Sequence, residues 1–294
     1  MTAERRSDRV IADTTIGDVT AWWRTDISDI SPGTIRYHGY AIEEIIPTTS
    51  YAAMVWLMIR GERPSAWQER LLDAALVAAV DHGPQAPSIA AARMAATCGV
   101  GLNNVIATGV GMLGDVHGGA GEQCMELLAD ICDEAEDPSQ LRPVADRVVA
   151  RYRAARRYVP GFGHRFHPRD PRRDPLMDLV ALAQADRVVT GQFWHAALAL
   201  EAALAAGRSK PVPMNIDGAT AVVYAELGFP PALGRGLFVL SRSVGILAHG
   251  WEQTRQGGRN KGPIPRTLLP DYTGRAPRSI DESSDPCRHD KVQQ

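Results

Sequence analysis

An all-α fold with a short N-terminal β-element is the architecture this sequence predicts, on three observations. From Ser50 onward, helix caps and glycine or proline stops recur at helical intervals. Strand-favouring residues are confined to 14–40. The 294-residue chain is 45% hydrophobic and 22% charged, enough apolar material to bury a sizeable core. Mean hydropathy is −0.18, and no membrane span is expected.

Taken in order, Met1–Asp13 mixes acids and arginines without an apolar centre and does not read as a secretory signal. Val19–Trp23 and Thr34–Tyr37 favour strands, with Ser31-Pro32-Gly33 turning between them. The Trp22-Trp23 pair reads as packing for the first of these strands. Ser50 caps a helix over Tyr51–Arg60 that stops at Gly61, and Ser65 caps Ala66–Val80, stopped by His82-Gly83-Pro84. Apolar or cysteine positions 124, 127, 128, 131 and 132 carry a helical period through 120–134, with Cys124 and Cys132 as small core residues. Ser139 opens a helix toward Arg157. Asp174-Pro175 reads as an N-cap and first-turn proline before an apolar run to Val189. His195–Ala206 and Pro230–Thr254 complete the helical set. From about Pro277 the chain is polar and unpatterned, and 278–294 reads as a flexible tail.

The four cysteines show neither a C-x-x-C pair nor metal spacing, which fits a reducing cytoplasm. Net charge is −2, so no global field recruits nucleic acid. Of 32 basic residues 29 are arginine, and nine of those lie between Arg147 and Arg173 beside one acid, Asp170. That cluster suits a multiply anionic small ligand. A nucleic-acid backbone is the weaker fit, since only Tyr152 and Tyr158 offer aromatic stacking nearby.

Three glycine-rich interruptions divide the helices: Asp115–Ala120, Val159–Arg165 and Asn215–Ala219. Each sets an ionisable side chain beside glycines near a helix start, where backbone fixes its position. Three chemistries compete for His117, His164 and Asp217. A zinc site takes these ligand types, but gaps of 47 and 53 residues include no close pair such as H-x-x-x-H. A serine nucleophile wants a G-x-S-x-G elbow, and the sequence has none. In acid–base work on a carbonyl compound, a carboxylate takes a proton beside a thioester or ketone while two histidines serve the oxygens. Arg165 and Arg172 alongside make that substrate a polycarboxylate.

The ordered set His117-Gly118-Gly119-Ala120, Gly161-Phe162-Gly163-His164-Arg165, Asp170-Pro171-Arg172 and Asn215-Ile216-Asp217-Gly218 resembles the citrate synthase superfamily. Arg36-Tyr37-His38-Gly39-Tyr40-Ala41-Ile42-Glu43-Glu44 and Gly61-Glu62-Arg63-Pro64 extend the resemblance to roughly residues 15–275. Only 18 positions separate Pro64 from His82, a compactness similar to free-standing citryl-CoA lyases and to the citryl-CoA lyase module of ATP-citrate lyase. The stretches Asp81–Pro84 and Gly236–Gly245 also resemble that module. His117 is kept as in the synthases, and the synthase C-terminal arginine pair is reduced to Ile264-Pro265-Arg266.

The resemblance implies a two-lobed helical fold, with 1–118 and 228–294 as the large lobe and 119–227 as the small one. It implies Asp217 as the base at the methyl carbon of acetyl-CoA and His117 as donor to the enolate oxygen. His164 is then the acid–base on the ketone or alcohol oxygen. His82, Arg165, Arg172 and Arg242 bind carboxylates, Arg242 from a neighbouring subunit, with Arg173 an alternative to Arg172. Val159, Pro160, Gly161, Phe162 and Gly163 lie along CoA, with Arg169 on its phosphates. The implied partners are an acyl-CoA and a polycarboxylate, with no metal and no permanently bound cofactor. The favoured activity is citryl-CoA cleavage; the alternatives are citrate or 2-methylcitrate synthesis, or an inactive paralogue that binds CoA esters or citrate. His38, His167, His195 and His249 read as structural. The apolar helix around 236–248 implies a homodimer, because a helix apolar all round needs partners on every side.

Overall fold

The computed structural model describes residues 19, 21–265 and 267–279. Arg266 and nearly all of the expected tail lie outside the described residues. Three short antiparallel strands, β1 (Ser28–Ser31), β2 (Thr34–Tyr37) and β3 (Tyr40–Ala41), form a meander in that order. Ser31 pairs with Thr34 across the tight turn, where Gly33 takes φ +76°. The strand expected at Val19–Trp23 is not one. Ala21 and Trp22 are helical, and the Trp23 N–H donates to the Val19 carbonyl at 3.3 Å. Bulky aromatics favour strands only beside a partner, and the ladder here begins at Ser28.

The helices are α1 (Ile42–Ile45), α2 (Tyr51–Arg60), α3 (Ala66–Ala79), α4 (Pro87–Thr97), α5 (Leu102–Gly111) and α6 (Ala120–Glu134). A 3₁₀ turn at Pro138–Gln140 leads into α7 (Leu141–Ala154). After a long loop come α8 (Arg173–Ala185), α9 (Gln192–Ala205), α10 (Ile216–Glu226) and α11 (Pro231–Gln256). Ser50 and Ser65 cap α2 and α3 as expected; Ser65 and Gln68 form a reciprocal capping box. Two expected caps give way. Asp137, not Ser139, accepts the Ser139 N–H. Asp174 lies inside the first turn of α8, its carboxylate bound by Arg169 and Arg173.

The larger core joins α2, α3, α6, α7, α8, α9 and α10, with Leu71, Leu72, Leu128, Ile131, Leu200 and Met214 fully buried. A smaller core of Ala86, Ile89, Ala92, Val105 and Ile246 holds α4 and α5 against the second half of α11. Helix α11 therefore runs past both cores. Glycines let it approach closely: a Cβ at Gly245 would overlap the Val80 carbonyl, and one at Gly109 would meet Ile246. Among the described residues no helix is long and apolar enough to cross a membrane.

Candidate active site

A cleft of about 250 Å³ opens where the three glycine-rich interruptions face α11. His82, His117, His164, Arg165, Asp217 and Arg242 all line it, together with Phe238. Residues far apart in sequence thus meet in one site, each placed by a different piece of local structure.

His82 sits in the turn after α3, where the Asp81 carboxylate is hydrogen bonded by the His82 and Gly83 amides. Its ring meets that of His164 edge-on, centroids 5.4 Å apart. His117 precedes α6. The Ser88 backbone N–H donates to its Nε2 at 3.2 Å, with the Ser88 hydroxyl also at 3.0 Å. An Nε2 that accepts from an amide is unprotonated, so Nδ1 carries the proton. His164 shows the opposite tautomer: its Nδ1 accepts from the Phe166 and His167 amides, both at 3.1 Å, leaving the proton on Nε2. Burial lowers the pKa of His82, His117 and His164 alike. Arg172 and Arg242 reinforce this at His82, Arg242 at His117 and His167 at His164. His117 and His164 are thereby set up as neutral imidazoles of defined tautomer, donors of a hydrogen bond rather than fixed cations, and the same influences favour the neutral form of His82.

Asp217 stands in the first turn of α10, whose N-cap Asn215 accepts the Asp217 and Gly218 amides at 2.9 and 3.2 Å. Burial pushes its carboxyl above the ordinary value of 3.8, against the pull of Arg242 and Arg172. A partly desolvated carboxylate of this kind is a stronger base than one in water. Gly161 and Gly218 press together above Cys124: a Cβ at either would overlap the other's backbone, and one at Gly161 would also meet the Cys124 sulfur at 2.7 Å. Burial drives the Cys124 thiol pKa far upward, so this sulfur is packing, as read from its period.

Arg242 is buried in mid-α11. Its Nε donates to the Ala79 carbonyl at 3.1 Å and its guanidinium stacks 4.9 Å from the Phe238 ring centre. It reaches the cleft from its own chain, where the sequence reading had it enter from a neighbour. Arg172 is not among the residues that line the cleft; it is partly exposed and paired through Nε and Nη2 with Asp170 at 2.9 Å. Arg173 is committed elsewhere, buried against Glu201 and Asp174.

A second hollow of about 710 Å³ adjoins the cleft and shares Gly163, His164 and Arg165 with it. Val159 and Phe162 form its floor, and Arg153, Arg156, Arg157 and Arg208 ring it. Pro160 and the buried Gly161 lie within this floor loop. Arg169 is not among its walls; it is exposed and forms a two-point pair with Asp174 at 2.6 and 2.7 Å.

Of the histidines read as structural, His249 bridges Asp81 and Arg93 at 3.2 and 3.4 Å, and His195 packs on Trp194 beside Gln184. His38 approaches the Met58 carbonyl, and His167 stacks on His164. Among the described residues no three His, Cys, Asp or Glu side chains are grouped to hold a metal ion. Sequence reasoning names neither Phe238 nor Arg208 as walls of the site, and it reaches Arg153, Arg156 and Arg157 only as part of the dense arginine run. Ser88 and Asp170 do not line the hollows; they bear on the site through His117 and Arg172.

A cleft of this lining is chemically suited to acid–base work on an anion. The family model for the citrate synthase C-terminal domain matches residues 47–267, and the chain belongs to the citrate synthase family. It is 30% identical over 207 residues to the citrate synthase of Haloferax volcanii, covering 69% of this chain and 52% of that one. Against the 2-methylcitrate synthase of Shewanella oneidensis it is 29% identical, covering 76% and 55%. The chain thus spans about half the length of these curated relatives. Among solved structures, citryl-CoA lyase from Hydrogenobacter thermophilus matches with a TM-score of 0.76 and 28% identity, over 88% of this chain and 97% of that one.

Proposed function

We propose that the protein is a citryl-CoA lyase, cleaving citryl-CoA reversibly to acetyl-CoA and oxaloacetate. The observation that carries this reading is the convergence of His82, His117, His164, Asp217 and Arg242 on one cleft beside an arginine-ringed hollow. In the condensing direction Asp217 takes a proton from the acetyl methyl carbon as His117 Nδ1–H donates to the thioester oxygen. The enolate carbon attacks the ketone carbon of oxaloacetate, and His164 Nε2–H gives its proton to the ketone oxygen, regaining one from solvent as Asp217 releases its own. Cleavage is the same path reversed: His164, its Nε2 proton first released to solvent, takes the hydroxyl proton, the carbon–carbon bond breaks, and a protonated Asp217 returns a proton to the methyl carbon. Arg172, Arg242, Arg165 and His82 hold the carboxylates. The loop 159–163 carries CoA, with the hollow's arginines facing its phosphates and Arg169 outside them.

Two features favour the lyase over the synthase: the structural match to a citryl-CoA lyase, with a TM-score of 0.76 over 97% of that protein, and the short interval of 18 positions from Pro64 to His82. Retention of His117 keeps citrate or 2-methylcitrate synthesis as the second reading. One assay separates them: supply (3S)-citryl-CoA, follow oxaloacetate with malate dehydrogenase, and follow free thiol with a thiol reagent. Equal release of oxaloacetate and acetyl-CoA without free CoA is expected. Citrate and free CoA from acetyl-CoA plus oxaloacetate would make it a synthase.

The same reading includes two lobes, 1–118 with 228–294 and 119–227, closing over substrate to exclude water. It also includes a homodimer, supported by Val244, Leu247 and Trp251, which form an exposed apolar stripe along one face of α11. A cytoplasmic location completes it, on cysteine usage.

A further inference from the structure

We infer that Asp170 is a positioning residue that holds the base Asp217 and the carboxylate-binding Arg172 in one fixed relation. This rests on the acid–base reading of Asp217 given above. The Asp170 carboxylate is 1% exposed and uses both oxygens. Oδ1 accepts from the Arg172 amide at 3.1 Å and from Arg172 Nε at 2.9 Å. Oδ2 accepts from Arg172 Nη2 at 2.9 Å and from the Ile216 amide at 3.1 Å. Ile216 is the first residue of α10 and immediately precedes Asp217.

The amides of the base's helical turn are therefore divided between two acceptors. Asn215 takes those of Asp217 and Gly218, and Asp170 takes that of Ile216. A neutral acceptor would satisfy one backbone amide at much lower cost than a buried charge. The charge is explained by its second client: it orients the Arg172 guanidinium through Nε and Nη2, leaving the Nη1 edge to a substrate carboxylate. One buried group thereby sets the distance between the substrate anchor and the base, the kind of geometry on which rate depends steeply. Burial raises the Asp217 carboxyl first; the nearby negative charge of Asp170 adds to this, and Arg242 and Arg172 oppose it.

The test is D170N, assayed in whichever direction the wild-type enzyme runs. Both Arg172 and the Ile216 amide are donors, so an amide side chain must lose one of them however it is turned. The expected result is a fall in kcat of about 10- to 100-fold and a raised KM for the oxaloacetate or citryl moiety. The pH limb that belongs to Asp217 should move to lower pH, because a negative neighbour is gone. That limb is the acid one in condensation and the alkaline one in cleavage. A D170N enzyme with lowered thermal stability but unmoved limb and KM would overturn the inference, leaving Asp170 a structural ion-pair partner. Should D170N fail to fold, D170E carries the test: charge kept, limb unmoved, kcat still reduced by the displaced Ile216 contact. Unchanged kcat in D170E would then overturn it. D217N is run beside them. If D217N stays active, the reading of the base fails and this inference with it; if D217N is dead and the D170N limb does not move, this inference alone fails.

Discussion

As the proposed base, Asp217 meets two demands, and they pull stability and activity apart. Its folded pKa is raised, mainly by burial, so its contribution favours folding below that value and is lost as pH rises through it. Once ionised, the buried group is a burden on the fold, which the proposed role as base accounts for. D217N should therefore reduce turnover by about 10³-fold or more, while its melting temperature at pH 7 equals or exceeds that of the wild type. A melting temperature well below wild type would show that the charge is instead a net support. The histidines make a second prediction at this scale. Ser88→Pro removes the amide that fixes the His117 tautomer, and Ser88→Ala keeps it. Turnover measured side by side should be nearly normal in Ser88→Ala and lost in Ser88→Pro, with circular dichroism checking that α4 survives.

At the scale of elements, local signals in the sequence mark the helix ends, while contacts between distant segments leave little trace in it. Ser50, Gly61 and Ser65 mark helix ends within a few residues of themselves, and the structure places the ends there. Helices α4 and α5 escaped notice because alanines, Gly109 and Gly111 blur their period; they are held by packing on α11 instead. Asp174 was misjudged as a cap because its partners, Arg169 and Arg173, compete for the same oxygens. His117, His164 and Asp217 were legible from their glycine-rich settings, whereas Ser88 contacts a residue 29 positions away and left no local trace. Ser65→Ala should cost about 1 kcal/mol through the lost capping box, seen as a lower denaturant midpoint with activity per folded molecule unchanged. G218A should cost about 1–3 kcal/mol, because its methyl group must displace the Gly161 carbonyl, and it should lose activity as well.

For the whole molecule, α11 links the cleft to the face proposed for a dimer. Arg242 and Phe238 line the cleft from this helix, while Val244, Leu247 and Trp251 lie bare along it. L247D should convert the proposed dimer to monomer by light scattering, with a loss of activity wherever the cleft depends on α11 being held straight. A wild-type chain that scatters as a monomer at micromolar concentration would contradict the dimer. The clasp between the loop at 161–163 and the segment at 213–215 has one more consequence. Gly163 N–H donates to the Pro213 carbonyl, Asn215 N–H to the Gly161 carbonyl, and Asn215 Nδ2 to the Gly163 carbonyl, at 2.7, 3.0 and 2.7 Å. The loop proposed to carry CoA and the turn bearing Asp217 are thus tied into one block. A ligand that grips this loop must quiet that turn even without touching it. Desulfo-CoA, which has no acyl group, should slow amide hydrogen–deuterium exchange at 216–219 as strongly as at 161–163.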